Sequence, residues 1–321
     1  MPRRPGRQPS AAAVPRVRLH LTRDHPRPAV AARLSSGEWV RLRRGACLEA
    51  ADLSDDPYTM ALQLSVARLD ALRRQLTVRH AASHTSAAVL WGLPLLSLPD
   101  VATIVQATRP AGDRSRDVVR HHRPWRETDV VKQGCHELTT LARTTVDCLL
   151  TLPPSAALVV ADGAAARGVD RQLCRELLEG ARGARGVTGA REVLALADDG
   201  AESPGETLTR WVLLHAGLPV PTTQIPVETH LGTFWGDLGW PEWRLLLEYD
   251  GRAKYGAETG DALMREKRRQ DAIGEAGWRV IRVTWADLRD GDAVVRRVVR
   301  AAPSGVGENM RPRRLLGQPG W

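Results

Sequence analysis

Lysine, paired cysteines and long apolar runs are scarce in this 321-residue chain. The four cysteines are widely spaced and form no C-x-x-C pair, which argues against a zinc site and is typical of a reducing compartment. No run of eighteen apolar residues occurs, and the first residues lack the apolar core of a signal peptide. We therefore expect a soluble, cytoplasmic protein with no membrane partner.

Basic charge is carried almost entirely by arginine, because Lys132, Lys254 and Lys267 are the only lysines. The formal net charge is +9 and the sequence pI is about 10.2. Residues 1–50 concentrate the excess, with eleven arginines against three acidic residues. A polyanion, and DNA in particular, is the predicted partner.

The length and the patterning predict a multidomain α/β protein. We predict five segments in chain order: a basic disordered arm (1–18), a winged-helix-like DNA-binding segment (19–50), a mixed, mainly helical connecting domain (51–200), an αβββαβ domain (201–302) and a disordered tail (303–321).

The segment 19–50 contains a short helix that starts near Pro28 and ends before Gly37. Two short strands follow, and the basic turn Arg43-Arg44-Gly45 joins them. A helix followed by a basic hairpin is typical of a winged helix, which predicts DNA contacts from Arg41, Arg43 and Arg44. The alternative is a small surface hairpin in an arginine-rich protein.

The connecting domain carries no pattern that predicts chemistry. Amphipathic helices are expected over residues 58–80 and 83–90 and strands over 101–107 and 117–122, followed by four more helices between residues 137 and 197. His121 and His122 lack a second histidine pair or a nearby acid cluster, and we interpret them as surface polar residues.

Acidic residues cluster along the chain in the last domain. The apolar run 245–247 is followed at once by Glu248 and Asp250, which strand periodicity places on one face. Asp237 precedes them by about one strand and a turn, so the three acids are expected to converge as oxygen ligands for Mg2+ or Mn2+. The alternative is that Asp237 and Asp250 are turn residues and that Glu206 completes a helix capping box with Ser203.

Five motifs in order across residues 203–290 make this region resemble a domain related to the very-short-patch-repair endonucleases, in the PD-(D/E)xK, restriction-endonuclease-like superfamily. They are Ser-Pro-Gly-Glu (203–206), Gly-Asp-Leu (236–238), Glu-Tyr-Asp-Gly (248–251), Glu-Lys-Arg-Arg-Gln-Asp (266–271) and Gly-Trp-Arg-Val-Ile-Arg-Val-Thr-Trp (277–285). The resemblance implies a DNA endonuclease that uses Mg2+.

The resemblance assigns the metal-binding positions to Asp237, Glu248 and Glu206. Asp250 occupies the usual lysine position, which departs from the family pattern. The charge of that lysine would have to come from Lys254, or from Lys267 with its neighbours Arg268 and Arg269, and an arginine holds phosphate but is too basic to act as a general base.

A second resemblance links the first half of the chain to AbiEi-type antitoxins and transcriptional regulators of actinobacteria. It is carried by residues 19–48, by Ala-Ser-His-Thr-Ser-Ala-Ala (82–88) and by Trp-Gly-Leu-Pro (91–94). This resemblance implies a non-catalytic regulator whose nuclease fold serves recognition or assembly, with a toxin or another protein as partner. Nuclease and regulator are thus the two functions to be distinguished.

Overall fold

The computed structural model describes residues 16–109, 115–124, 126–251 and 260–317. The chain divides into two compact units. The N-terminal unit contains the described residues up to 151 together with residues 172–180. The C-terminal unit contains residues 152–171 and the described residues from 181 onward. Each unit combines helices with β-sheet, so the predicted multidomain α/β class is confirmed. The five predicted boundaries remain predictions.

A small antiparallel sheet begins the N-terminal unit. Its elements are β1 (Leu19–Leu21), α1 (Arg27–Ser35), β2 (Trp39–Arg43) and β3 (Ala46–Glu49), with strand order β1-β3-β2. Val30 of α1 packs on Trp39 and Cys47 of the sheet. Gly45 adopts φ +78° in the β2–β3 turn, a conformation that favours glycine. The short helix and the basic hairpin therefore form where the sequence predicts them.

A five-stranded mixed sheet follows in the same unit, with order β6-β5-β4-β8-β7. Its elements are α2 (Pro57–Gln75), β4 (His80–Ala82), α3 (His84–Trp91), β5 (Ala102–Gln106), β6 (Val118–His122), β7 (Val130–Gln133), β8 (His136–Thr139) and α4 (Leu141–Thr151). Leu72 of α2, Ile104 of β5 and Leu138 of β8 share one apolar core. The helix predicted to begin at Glu137 begins only at Leu141, because residues 136–139 pair as a strand with β7.

The next elements are α5 (Pro154–Ala166), α6 (Arg171–Gly180) and α7 (Val187–Leu196), of which α6 lies almost wholly in the N-terminal unit. The remaining elements of the C-terminal unit are α8 (Pro204–Ala216), β9 (Thr222–Thr229), β10 (Gly232–Trp240), β11 (Leu245–Asp250), α9 (Gly260–Glu275), β12 (Arg279–Thr284), α10 (Trp285–Leu288) and α11 (Gly291–Ala301). The sheet order is β12-β11-β10-β9, and only the β11–β12 pair is parallel. The helix, three strands, helix and strand thus occur in the predicted order.

A buried ion pair joins α5 to α8 in the C-terminal unit. Arg210 Nη2 donates to both carboxylate oxygens of Asp162, at 2.5 and 2.6 Å, and both side chains are 1% exposed. Asp162 also accepts hydrogen bonds from the Thr207 hydroxyl and the Asp198 backbone N–H. Arg210 Nη1 donates to the Leu196 carbonyl. This pair fixes α8, whose first turn carries Glu206.

The tail prediction is wrong for residues 303–317. A turn of 3-10 helix at Arg314–Leu316 buries Leu316, and the Arg313 N–H donates to the His215 carbonyl at 2.9 Å. A Cβ on Gly217 would come within 2.2 Å of the Arg311 carbonyl oxygen, so this glycine permits close approach of the tail. Composition alone predicts disorder here, because it contains no information about such tertiary contacts. Residues 318–321 lie outside the described residues.

The predicted basic arm, residues 1–18, lies almost wholly outside the described residues. Its last residue, Arg18, is ordered and forms hydrogen bonds with Asp52 at 2.8 and 2.9 Å. Among the residues that the structure describes, no helix combines the length and the apolar character needed to span a bilayer.

Candidate functional site

Glu206, Asp237 and Glu248 come together in the C-terminal unit, and we call them the acidic cluster. Glu206 lies in the first turn of α8, Asp237 on β10 and Glu248 on β11. Leu238 pairs with Leu247, so Asp237 and Glu248 are the next opposed positions of the two strands. Electrostatic repulsion couples Glu206 to Asp237 and Asp237 to Glu248. Asp237 and Glu248 thus lie together with Glu206, the position that the resemblance adds, whereas the strand pattern predicted that Asp250 would be the third acid.

Glycine allows α8 to approach β11 closely enough to bring Glu206 to the sheet. A Cβ on Gly205 would lie about 2 Å from the ring of Tyr249. Ser203 caps the helix, because its Oγ accepts a hydrogen bond from the Glu206 N–H at 3.2 Å. The Ser203 hydroxyl in turn donates to Glu206 Oε1, and the Glu202 N–H donates to Oε2, each at 2.8 Å. Glu206 thus has a structural role at the start of α8, but its donors are the Ser203 hydroxyl and the Glu202 N–H and not the Ser203 N–H of the predicted capping box.

Two carboxyl groups of the cluster hold protons more strongly than usual. Burial, followed by the negative charge of Asp237, raises the pKa of Glu206 from 4.5 to about 7. Burial also raises the pKa of Asp237 from 3.8 to about 6, against the opposing effect of a 2.8 Å hydrogen bond from the Tyr249 N–H. Glu248 and Glu202 add to the repulsion. A cation at this site would therefore be stabilised by neighbouring carboxylates.

Glu248 has one satisfied and one unsatisfied oxygen. The residue is 9% exposed, and its Oε2 accepts a hydrogen bond from Arg269 Nη2 at 2.6 Å. Within the described residues, the buried Oε1 has no hydrogen-bond partner. A buried carboxylate oxygen without a partner is costly, and a bound cation is one way to satisfy it.

Arg269 is predicted to contact DNA, but its guanidinium lies inside an ion-pair network. Besides Glu248, it contacts Glu266 at 3.0 Å, and Glu266 also pairs with Arg282. Three-residue spacing on α9 favours the Arg269–Glu266 pair, which is why this arginine turns toward the protein. Lys267 and Arg268, by contrast, are exposed on the same helix.

The other predicted catalytic positions lie at the margin of the cluster. Asp250 is half-buried at the end of β11, and its charge contributes to a raised pKa of Tyr249, of which burial is the larger cause. Lys254 lies outside the described residues. The structure brings together Glu206, Asp237, Glu248 and Arg269 but does not place a described lysine among them.

The three hairpin arginines differ in their surroundings. Arg41 and Arg44 are exposed on β2 and at the turn. The side chain of Arg43 is only 7% exposed, donates to Asp117 at 2.5 Å and pairs with Gln75. Arg43 therefore links the β2–β3 hairpin to Asp117 and Gln75 within the N-terminal unit. Its prediction as a DNA-contacting residue is corrected, because Asp117 already neutralises its charge.

Sequence reasoning missed a second set of buried titratable groups, in the N-terminal unit. His84 has φ +51°, unusual for a residue other than glycine, and its ring stacks on His121 at 3.9 Å between centroids. Burial lowers the pKa of His84 to about 4. Nearby Asp147 is paired with Arg143 at 2.7 Å and Arg123 at 3.1 Å. The interpretation of His121 as a surface residue is corrected, since the β5–β6 pairing half-buries it.

A different set of potential metal ligands lies close together in the N-terminal unit. In the described ranges, the ligand atoms of Asp70, Cys135 and His136 all lie within 4.8 Å of one another. The three carboxylates of the acidic cluster do not all lie within that distance. Its carboxylates are therefore close enough to repel but wider apart than a preformed three-ligand cage.

Comparison with known proteins gives partial matches to two curated mycobacterial proteins. These are the uncharacterized protein MT2308 of Mycobacterium tuberculosis (strain CDC 1551 / Oshkosh) and the uncharacterized protein Rv2248 of Mycobacterium tuberculosis (strain ATCC 25618 / H37Rv). Each is 37% identical over 109 residues, which cover 34% of this chain and 40% of the relative. The match thus spans two fifths of the length of these relatives.

Among solved structures, the crystal structure of the RV2827C protein from Mycobacterium tuberculosis gives a TM-score of 0.37 at 16% identity. The alignment covers 60% of this chain and 78% of that chain. No family model matches the sequence.

Proposed function

We propose that the protein binds DNA and that residues 201–302 form a restriction-endonuclease-like domain with a divalent-cation site at the acidic cluster. Asp237 and Glu248 are the principal ligands in this proposal, and Glu206 assists them. The exposed side chains Lys267 and Arg268 of α9 are available to contact phosphate. The segment 19–50 is proposed to act as a winged helix that contacts DNA through Arg41 and Arg44.

One observation carries the cation site: the cluster holds more buried negative charge than its protein partners neutralise. Burial is the largest cause of the raised pKa values of Glu206, about 7, and Asp237, about 6; the charge of Asp237 adds to the first shift, and the charges of Glu248 and Glu202 add to the second. Glu248 Oε1 is buried without a hydrogen-bond partner among the described residues. Carboxylate oxygens in this condition fit Mg2+ or Mn2+, which prefer hard oxygen ligands.

The chemistry expected from a bound divalent cation is stabilisation of the charge that develops on a phosphodiester during hydrolysis. The protein's own carboxylates would orient the cation. Because Glu206 and Asp237, whose pKa values are raised, must be ionised to bind it, protons would compete with the cation for these groups. Lys267 and Arg268 would clamp phosphate oxygens electrostatically. An endonuclease activity dependent on Mg2+ is accordingly the enzymatic form of the proposal.

A non-catalytic regulator is the second candidate, and a specific contact favours it. Arg269 already neutralises Glu248 at 2.6 Å, as a built-in cation would. Asp250 stands at the position where the related nucleases carry lysine. In this alternative the nuclease-like domain serves DNA recognition or assembly with a toxin-like or other protein partner.

Calorimetric titration of Mg2+ and Mn2+ into the full chain at pH 8, with plasmid nicking assayed on the same samples, tests the proposal. The variants are D237N and E248Q, which keep side-chain volume and remove charge. E242Q is the matched control, because Glu242 is an exposed acid between β10 and β11. We expect binding and nicking in the wild type and in E242Q, and loss of both in the cluster variants.

Metal binding without nicking, together with retained duplex binding, would support the regulator instead of the nuclease. If the wild type binds neither cation at millimolar concentration, the cation site is refuted. DNA affinity that is insensitive to salt would contradict the DNA-binding part, because phosphate contacts release counterions.

A further inference from the structure

A carboxylate, a thiol and an imidazole meet in the N-terminal unit, apart from the acidic cluster. Asp70 lies on α2, and Cys135 and His136 lie at the β7–β8 connection. Gly134, with φ +60°, turns the chain so that Gln133 can pair with His136. Because α2 packs against β8, the carboxylate of Asp70 reaches the tip of this hairpin.

Two distances within this set are close to the edges of a tetrahedral metal site. His136 Nε2 lies 3.3 Å from Asp70 Oδ1, and Cys135 Sγ lies 3.7 Å from the same oxygen. Zinc bonds of about 2.0–2.3 Å at tetrahedral angles separate neighbouring ligand atoms by about 3.3–3.6 Å. All three ligand atoms lie within 4.8 Å of one another. The set therefore needs only small side-chain shifts to enclose one ion.

The alternative is a plain surface ion pair between His136 and Asp70, with the thiol as a bystander. Arg73 is a rival for the carboxylate, but its Nε is 4.0 Å from Asp70 Oδ1 and its side chain is 43% exposed. Exposed pairs of that kind contribute about 0–1 kcal/mol, so Arg73 is a weak competitor for a metal. The thiol is exposed, whereas the other three cysteines are buried. Cys135 is thus the cysteine that a metal ion in solution can reach.

A cavity of about 270 Å³ lies beside two of the three ligands. Cys135 and His136 line it together with Leu69, His80 and Ile104. Three protein ligands leave one tetrahedral position open, which distinguishes sites that exchange a ligand from closed structural sites. We propose that Asp70, Cys135 and His136 form a transition-metal site of the zinc class, with its open position available to a small ligand in this cavity. Thiolate and imidazole ligands favour Zn2+ or Co2+ over Mg2+.

Cobalt titration of the reduced full chain, with no affinity tag left on it, tests this site. A thiolate-to-cobalt charge-transfer band should grow to one equivalent and disappear when Zn2+ displaces the cobalt. C135S should abolish the band. H136Q should weaken Co2+ binding by about a hundredfold or more, because loss of a residue that only hydrogen-bonds to a metal ligand already costs about 10–100-fold. H122Q is the matched control, an exposed histidine of the same unit that is outside the set.

Circular dichroism of each variant separates lost binding from lost folding, and exposed Cys135 should tolerate serine. A wild type without the charge-transfer band, or with Zn2+ affinity equal to that of C135S, would overturn the site. H122Q that loses binding as H136Q does would overturn the ligand assignment. D237N and E248Q should leave the band intact, so this site and the acidic cluster fail or succeed separately.

Discussion

Two buried carboxylate sites lie about one turn apart along α8, and they differ in how completely their charges are neutralised. At Arg210, the carboxylate of Asp162 receives hydrogen bonds from the guanidinium, from the Thr207 hydroxyl and from the Asp198 N–H. At the acidic cluster, the charge of Asp237 acts on Glu206 and the charge of Glu248 acts on Asp237, and among these three carboxylates Arg269 pairs with Glu248.

The difference separates charge that maintains the fold from charge that is available to a ligand. At the first site the charges of Asp162 and Arg210 neutralise each other, which leaves little for a cation to improve, although Arg210 Nε is buried without a hydrogen-bond partner among the described residues. Burial raises the pKa of Asp162 as well, but there Arg210 opposes the shift. In the acidic cluster neighbouring carboxylates add to the shift, and Glu248 Oε1 is buried without a hydrogen-bond partner among the described residues, so a cation would gain free energy there. The first site should respond strongly to mutation and weakly to metal, and the second should show the opposite pattern.

Breaking the Asp162–Arg210 pair should produce the largest effect. D162N removes the charge opposite Arg210 while keeping the shape, so an uncompensated guanidinium stays buried. We expect the free energy of unfolding to fall by about 3–5 kcal/mol. Urea denaturation followed by tryptophan fluorescence measures it, because Trp211, Trp240 and Trp243 all lie in the C-terminal unit.

R296Q is the control for this prediction. Arg296 faces Asp290 at 3.7 Å, with both side chains more than half exposed, and its loss should cost about 1 kcal/mol or less. A D162N variant that unfolds within 1 kcal/mol of the wild type, on the same scale as R296Q, would contradict the role assigned to the buried pair.

Removing charge from the acidic cluster should change the pH dependence of stability. Between pH 4.5 and about 7 the folded protein keeps the Glu206 proton that the unfolded chain has released, so rising pH favours unfolding. The loss is on the order of 3 kcal/mol across that window. E206Q cannot ionise and keeps one of the two accepting oxygens, and we expect it to flatten this decline when chelator is present.

Thermal unfolding at half-unit pH steps, in EDTA and then in millimolar Mg2+, measures the pH dependence of stability and the effect of the metal on it. Magnesium should restore stability to the wild type at pH 8 but not to D237N. Equal slopes for wild type and E206Q between pH 5 and 7 would show that Glu206 ionises normally, and the comparison between the two sites would then lose its basis.

Local signals predicted much of the C-terminal unit. Ser203 and Pro204 marked the start of α8, and alternating and continuous apolar runs marked β9, β10 and β11. Strands β4, β7 and β8 were missed because they have three or four residues and β4 contains only histidine and alanine. Such segments become strands through pairing with neighbours, which no local periodicity encodes.

The sequence predicted the acidic residues of the candidate site but not the side chains that contact them. Glu248 followed an apolar strand, which is a visible pattern, but the Glu248–Arg269 contact depends on how α9 packs. Arg43 and Asp117 are 74 positions apart, and Cys135 and Asp70 are 65 apart. Tertiary contacts at these separations decide which charges are neutralised, and sequence patterns do not record them.

The hairpin extends the same comparison to the N-terminal unit. Arg43 is neutralised by Asp117, whereas Arg41 and Arg44 are exposed. On the proposed DNA-binding function, the double variant R41Q/R44Q should reduce the salt slope of duplex binding by about 2 and the affinity by about tenfold. Fluorescence anisotropy at several salt concentrations measures both. R43Q should instead lower thermal stability with the slope unchanged, and a slope reduced equally by R43Q would contradict this division.

The smallest expected effect concerns Arg269, which acts as the cluster's own cation. Removing it with R269Q leaves Glu248 unneutralised and removes an influence that lowers the pKa of Asp237. If Arg269 competes with the metal, R269Q should bind Mg2+ a few-fold more tightly at pH 8, about 1 kcal/mol or less for a partly exposed pair. R268Q removes the same charge from the exposed face of α9 and should leave the affinity unchanged. If R269Q instead binds Mg2+ as weakly as E248Q does, Arg269 orients the Glu248 carboxylate for the metal. If R268Q gains as much Mg2+ affinity as R269Q, the effect comes from net charge alone.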